Sequence, residues 1–236
     1  MTFRSLPAVL LFVLCCAPTA GATSLRFCME CNFGGAQLAN SDFSGGVLIG
    51  ANFAGASLAW SSFRGSKLVA ANFEGADLRD VAFDGVECTA CNFQGAKLDE
   101  ATFSGARMTA ANFSGFRAAI AGDQLRALLA RCAACNFQSA ALSGFDLSGG
   151  SLAGVDFAKA DLRRTRFDGA VLCWYVLDGA KRSIKCDNLQ GARVEGASFK
   201  GVRICTDPED AHTCTTVSAD ALRQFSGAAL EGAALR

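Results

Sequence analysis

The chain has 236 residues, 51% of them apolar, with 22 Lys and Arg against 22 Asp and Glu. That composition suits one globular or repeat domain and argues against disorder. The balance of charge also argues against a nucleic-acid binder, which needs a basic excess or patch, and against a DNA mimic, which needs an acidic one.

Residues 1–22 read as a secretory signal peptide: Arg4 in a short polar start, an apolar run from Leu6 to Cys16, then small residues ending in TAGA. Cleavage is expected after Ala22, because Ala20 and Ala22 give the small-x-small pattern, whereas a cut after Ala20 places Pro18 at the third position back. A lipoprotein with Cys15 or Cys16 acylated is the weaker reading, since Leu14 or Cys15 would precede the modified residue where a small one is wanted. Processing takes Cys15 and Cys16 away and leaves ten of the twelve cysteines, an even count read first as disulfides in a periplasmic or secreted protein. No other run approaches about 20 apolar residues, so no membrane span is expected after cleavage. A retained signal segment would instead serve as an anchor.

The first block, residues 23–117, has an unbroken period of five. From Phe33 a large apolar residue recurs at Leu38, Phe43, Leu48 and Phe53, and so on to Phe113, with Cys88 and Met108 as variants in the Leu series. A period of five fits neither an α-helix nor an alternating strand. A second period of twenty appears in Asn32, Asn52, Asn72, Asn92 and Asn112, each just before a Phe. Five residues per side and twenty per turn describe a four-sided coil whose turns stack at roughly 4.8 Å. The Phe residues then fill two facing walls and the Leu series the other two, while the Asn amides form a ladder between turns. Gly stands two residues after every Phe from Phe33 to Phe113, as a corner with positive φ requires. After the Leu residues that position holds Asn40, Trp60, Ala70 or Asp80, so those corners are expected to differ in turn type.

These units, such as ANFEGADLRD at residues 71–80, resemble the pentapeptide-repeat family, whose unit is Ala-Asp/Asn-Leu/Phe-x-x. The likeness covers about residues 31–204. It implies an all-β fold, the right-handed quadrilateral β-helix or pentapeptide-repeat solenoid, here with a short helical insertion and a C-terminal helical cap. A fold of this kind does not fix a function. Some members imitate duplex DNA and protect gyrase from quinolones, which makes DNA mimicry the main alternative function.

The register breaks over residues 118–134, where Leu125, Leu128, Leu129 and Cys132 have helical spacing behind Asp123, the expected N-cap. The second block, residues 135–204, resumes with Asn136, 24 residues after Asn112, so the coil is expected to return to the same wall. Its centres run from Phe137 to Leu172 and Leu177, and a second break, DGAKRSIKCD, shifts the frame by two before Leu189. Residues 205–236 form the expected cap, with Ser218 N-capping a helix that carries Leu222 and Phe225, and GAALEGAAL adding a partial last unit.

Three motifs, Cys28-x-x-Cys31, Cys88-x-x-Cys91 and Cys132-x-x-Cys135, precede the Asn wall and turn both sulfurs inward around one corner. Structural disulfides are the first reading. A shared Cys₄ zinc site is the second, but Cys28 and Cys88 would lie three coils apart, roughly 14 Å at the strand spacing, while zinc holds sulfurs at about 2.3 Å. Thiol redox chemistry is the third, and buried corners lack the helix N-terminus that activates a CxxC thiol. Cys205 with Cys214 and Cys173 with Cys186 are the remaining candidate pairs.

No Ser-His-Asp set can be assembled around the single histidine, His212, and no Gly-rich phosphate loop opens a helix, so no catalytic residue, metal ligand or cofactor is assigned. His212 beside Asp207, Glu209 and Asp210 reads as a solvated loop before it reads as a metal site. The candidate partner surface is an outward β stripe of Val47, Ile49 and Val69, continued by Thr89 and Thr109, with Trp60 as a separate exposed anchor. Asp77, Arg79, Lys97 and Asp99 read as a solvated face. The expected function is therefore a non-enzymatic binding or structural module of the cell envelope, its partner a protein of unknown identity or a second copy of the chain.

Overall fold

Each five-residue side places one large residue inside and turns the chain at its end, and four such sides make one turn of the coil. The computed structural model describes residues 26–117, 119–178, 181–206, 213–226, 230 and 232–235. The expected signal peptide, residues 1–22, and His212 with its acidic neighbours lie outside the described residues. The chain forms a right-handed quadrilateral β-helix. One wall is a parallel six-stranded sheet, β1 (Phe27–Met29), β2 (Val47–Ile49), β3 (Lys67–Val69), β4 (Glu87–Thr89), β5 (Arg107–Thr109) and β6 (Cys132–Ala133). The other walls are ladders of single bridges, such as Asn32 to Asn52 to Asn72, Gln37 to Ser57 to Asp77, and Asp42 to Ser62 to Ala82.

The ladder satisfies the backbone. The Phe33 N–H donates to the Asn52 carbonyl at 2.7 Å, and the Asn52 N–H returns to the Cys31 carbonyl at 2.8 Å. Inside, Phe53, Phe73, Phe93 and Phe113 stack with ring centroids 4.8 to 5.1 Å apart. The facing column of Phe63, Phe83 and Phe103 stacks in the same way and meets the first column edge to face, as between Phe63 and Phe73 at 5.4 Å. The Asn ladder also has a second role. Each Asn Nδ2 donates down to the Oδ1 of the Asn twenty residues earlier, at 3.0 Å for Asn52 to Asn32, while each Oδ1 accepts the N–H two residues on, at 3.1 Å from Glu74 to Asn72. Asn thus fastens its own turn and the neighbouring turn together.

The corners differ from expectation. The residue two after each Leu-series centre is as left-handed as the glycines, with φ between 52 and 61° at Asn40, Trp60, Ala70, Asp80, Ala90, Glu100 and Ala110. What separates the corners is the turn hydrogen bond. The corners after Phe33 and Leu38 close one, from Ala36 and Ser41, whereas the strand corners after Leu48 and Leu68 do not; the ladder bond of the left-handed residue is common to both kinds, from Gly35 to Ala54 and from Gly50 to Val69. Left-handed backbone costs an L-residue roughly 1–2 kcal/mol, so Ala90→Gly is expected to stabilise the fold by about 0.5–1 kcal/mol after the added freedom of the unfolded chain is offset. A chemical-denaturation midpoint unchanged or lowered relative to wild type would remove that account of the corner.

The first break is helix α1, Gly122–Leu129. Leu125, Leu128 and Leu129 are buried in the column space that coil centres fill elsewhere. Its N-cap is Ala121 without a side-chain cap, and Asp123 falls inside the first turn, where its charge faces the positive end of the helix. Gln124 replaces a missing coil carbonyl, its Oε1 accepting the Phe103 N–H at 3.0 Å. The coil resumes at β6, and Asn136 bridges Asn112 on the expected wall.

The second break is a hairpin of β7 (Val171–Asp178) and β8 (Lys181–Cys186), antiparallel to each other, with β9 (Arg203–Cys205) on the other side of β7. Leu177 is thus a hairpin residue and not a coil centre, because Asp156 bridges Asn188 directly and the coil passes from Leu172 to Leu189. β10 (Cys214–Thr216) pairs antiparallel with β9, and helix α2 (Ala219–Ser226) follows, its Ala221 N–H capped by Ser218 Oγ at 3.1 Å. Leu222 and Leu230 are buried, and Ala234 bridges Ser198 as a partial last unit. The C-terminal end of the coil is covered. The Phe225 side chain lies outside the described residues.

Candidate interaction surface

In β1 to β5 the central residue points into the core and its two neighbours point out, so the sheet presents two columns to solvent. One reads Phe27, Val47, Lys67, Glu87, Arg107 and the other Met29, Ile49, Val69, Thr89, Thr109, in register. Both change from apolar to polar along the coil. Lys67 and Glu87 form a cross-turn ion pair at 3.6 Å where the change occurs.

Of the residues expected to bind a partner, Val69 is 42% exposed, and Val47 and Ile49 are half-buried between neighbouring turns. The two most exposed members of the stripe, Phe27 at 59% and Met29 at 50%, were not among the expected residues. Their signal was present in the sequence, since they flank the Cys28 centre as Val47 and Ile49 flank Leu48. Trp60 is 61% exposed, but it stands at the Leu58 corner and not on this wall, so the structure does not bring it together with the stripe.

The cysteines occupy the expected corner. The structure pairs Cys28 with Cys31, Cys88 with Cys91 and Cys132 with Cys135, all six buried, and Cys28 is separated from Cys88 by the turns of Leu48 and Leu68. Cys173 pairs with Cys186 across the hairpin and Cys205 with Cys214 across β9 and β10. Among the described residues, no group of three or more His, Cys, Asp or Glu is arranged to hold a metal ion.

The family model for pentapeptide repeats matches residues 31–68, 56–87, 87–115 and 131–172, more than half of the chain. The chain belongs to the pentapeptide-repeat family. It is similar to a pentapeptide-repeat protein of the Arabidopsis thaliana thylakoid lumen, 31% identical over 46% of this chain and 77% of that chain, with a TM-score of 0.28. It is also similar to HetL of Nostoc sp. strain PCC 7120, a protein involved in heterocyst differentiation regulation, at 20% identity over 98% of this chain and 94% of that one, TM-score 0.30. A third similarity is to the plasmid-mediated fluoroquinolone resistance protein QnrB1, 15% identical over 74% of this chain and 94% of that one, TM-score 0.41. No curated protein matches the chain significantly.

As a pentapeptide-repeat solenoid, the chain is a structural or binding module in kind. Several wall carboxylates are held by donors. Hydrogen bonding from Arg79 keeps Asp77 below the usual carboxylate range, and Arg163 does the same for Asp161, which Arg193 also meets at 2.6 Å. A hollow beside α1, lined by Asp123, Arg126, Ala127 and Ala130, is shallow, and Arg126 is already engaged by the Asp146 carbonyl at 3.1 Å.

The disulfides differ in the length of chain they close, three residues of separation for Cys88 to Cys91 and thirteen for Cys173 to Cys186. Chain entropy then assigns about 2 kcal/mol to the first and about 3 kcal/mol to the second. The double variant Cys173→Ala with Cys186→Ala is expected to unfold at lower denaturant than Cys88→Ala with Cys91→Ala. The reverse order would show that closing the corner matters more than closing the loop.

Proposed function

We propose that this protein is an exported, non-enzymatic binding module of the cell envelope, which docks a protein partner on the outer face of β1 to β3. The observation that carries this reading is the apolar stripe of Phe27, Met29, Val47, Ile49 and Val69, a contiguous patch on a wall whose other turns are polar. Exposed contiguous apolar surface of this kind marks interaction sites. Export is supported by the signal-like residues 1–22 and by ten cysteines standing in five pairs.

A redox role is disfavoured by the burial of all six CxxC sulfurs, which a substrate thiolate would have to reach. DNA mimicry is disfavoured by the even charge balance and by the pairing of wall carboxylates such as Asp77 and Asp161 with arginine.

Two measurements test the proposal. Intact mass and thiol titration on protein from its native compartment should show residues 1–22 removed and no free thiol; an intact N-terminus with reactive thiols defeats export. In-cell crosslinking should then yield a defined adduct that Val69→Lys depletes at least about tenfold, as a charge buried in an apolar contact implies. An adduct indifferent to Val69→Lys moves the contact off this wall.

A further inference from the structure

The two ends of the solenoid are finished differently. The C-terminal end is covered by β10, α2 with buried Leu222, Leu230 and the Ala234 bridge. At the other end, among the described residues, β1 is an edge strand with β2 as its one neighbour in the sheet, and the described chain begins one residue before it, at Arg26. With cleavage after Ala22, residues 23–25 alone precede Arg26. Three residues reach at most about 10 Å, whereas each side of the coil takes five residues and the end has four sides.

Natural edge strands are normally guarded by charge, proline, a bulge or a covering segment. β1 has none of the first three within its span: its sequence is Phe-Cys-Met, and the Cys28–Cys31 bond fixes it to the first corner. Its outward residues are also the most exposed of the stripe, Phe27 at 59% and Met29 at 50%. The charges that flank it are opposite in sign and symmetric about Cys28, Arg26 on one side and Glu30 on the other, both exposed.

We propose that the mature protein is a head-to-head dimer in which β1 of one copy pairs antiparallel with β1 of the second about a two-fold axis at Cys28. This rests on the export reading, because cleavage is what bares the edge. In that register Phe27 of each copy lies beside Met29 of the other, and Arg26 faces Glu30. A two-fold contact must be self-complementary, and an apolar strand bracketed by one positive and one negative residue meets that condition. The pairing joins two six-stranded sheets into one. It also merges the two apolar stripes into a single patch centred on the junction, with the Lys67–Glu87 pairs at its outer limits. The partner-binding wall of the proposed function is then doubled in length.

The test is the mass of the assembly by sedimentation or light scattering, on protein taken from its native compartment with its N-terminus defined by intact mass. The expected result is twice the chain mass. Phe27→Lys with Met29→Lys should give a monomer that still unfolds in one cooperative transition. Arg26→Glu alone should raise the dimer dissociation constant about tenfold, the scale of 1.4 kcal/mol, and adding Glu30→Arg should restore it, which a merely structural lesion would not do. A monomer at roughly 100 μM, where micromolar affinity is saturating, overturns the proposal. A dimer indifferent to both variant sets overturns it equally. Retention of residues 1–22 sinks the export reading and with it the bared edge, whereas a monomeric mass with residues 1–22 removed overturns the pairing alone.

Discussion

Phe73→Ala is expected to lower stability by about 3–5 kcal/mol and to broaden the unfolding transition. Phe73 stacks on Phe53 at 5.1 Å and on Phe93 at 5.0 Å, and meets Phe63 and Phe83 edge to face at 5.4 and 5.8 Å. It is fully buried. Removing the ring deletes four aromatic contacts and leaves a cavity that ladder-bonded turns on both sides cannot collapse into. A solenoid also holds together through nearest-neighbour interfaces, so a lesion in mid-column separates the turns below from those above. Phe43, in the first turn, stacks on one ring, Phe63, and Phe43→Ala should cost less because the end turn can relax. Urea unfolding of both variants checks this. Equal costs, with the wild-type slope retained at Phe73, would mean that the stacked columns do not carry cooperativity along the coil.

The walls were legible in the sequence because every side contributes one buried centre, so the period of five and the Asn period of twenty state the geometry directly. The corners were less legible. Residue preference alone does not put Ala70, Trp60 or Glu100 at positive φ, yet the ladder enforces it: the Trp60 and Asp80 N–H groups donate to the Arg79 and Asp99 carbonyls, each at the corner of the next turn. Tertiary hydrogen bonds there outweigh a local cost of about 1–2 kcal/mol. The helical insertion showed itself through Leu125, Leu128 and Leu129, while its start did not, since Asp123 serves the first turn from inside. The hairpin appeared as a frame shift only, because VLCWYVLD and KRSIKC interrupt the repeat with strands that pair with each other. The stripe was half legible: Cys28 was read as inward for its sulfur, but its outward neighbours Phe27 and Met29 were not carried onto the wall.

One buried carboxyl should dominate the pH dependence of stability. Asp187 is 1% exposed where the hairpin rejoins the coil; its Oδ1 accepts the Gly154 N–H at 2.8 Å, and Oδ2 has no partner among the described residues. Burial pushes its pKa well above the ordinary 3.8, against the opposing pull of the Gly154 and Val155 N–H groups and with some help from the charge of Asp156. The folded protein therefore holds a proton that the unfolded chain has released above pH 3.8, so stability must fall as pH rises from there to the raised value. The slope approaches about 1.4 kcal/mol per pH unit, the value for one proton. Asp77, Asp146, Asp161 and Asp168 act in the opposite sense, their lowered pKa values giving stability above 3.8 that is lost on acidification. The two senses together give stability an acid limb, from the lowered carboxyls, and an upper limb, from Asp187. Asp187→Asn, which keeps the acceptor and removes the titration, should flatten the upper limb and leave the acid limb intact. Asp187→Ala should cost about 1–3 kcal/mol even where the carboxyl is protonated, because the Gly154 N–H loses its acceptor. Denaturant midpoints of the three proteins across pH settle the matter, and an upper limb that persists in Asp187→Asn would assign the alkaline loss to another group.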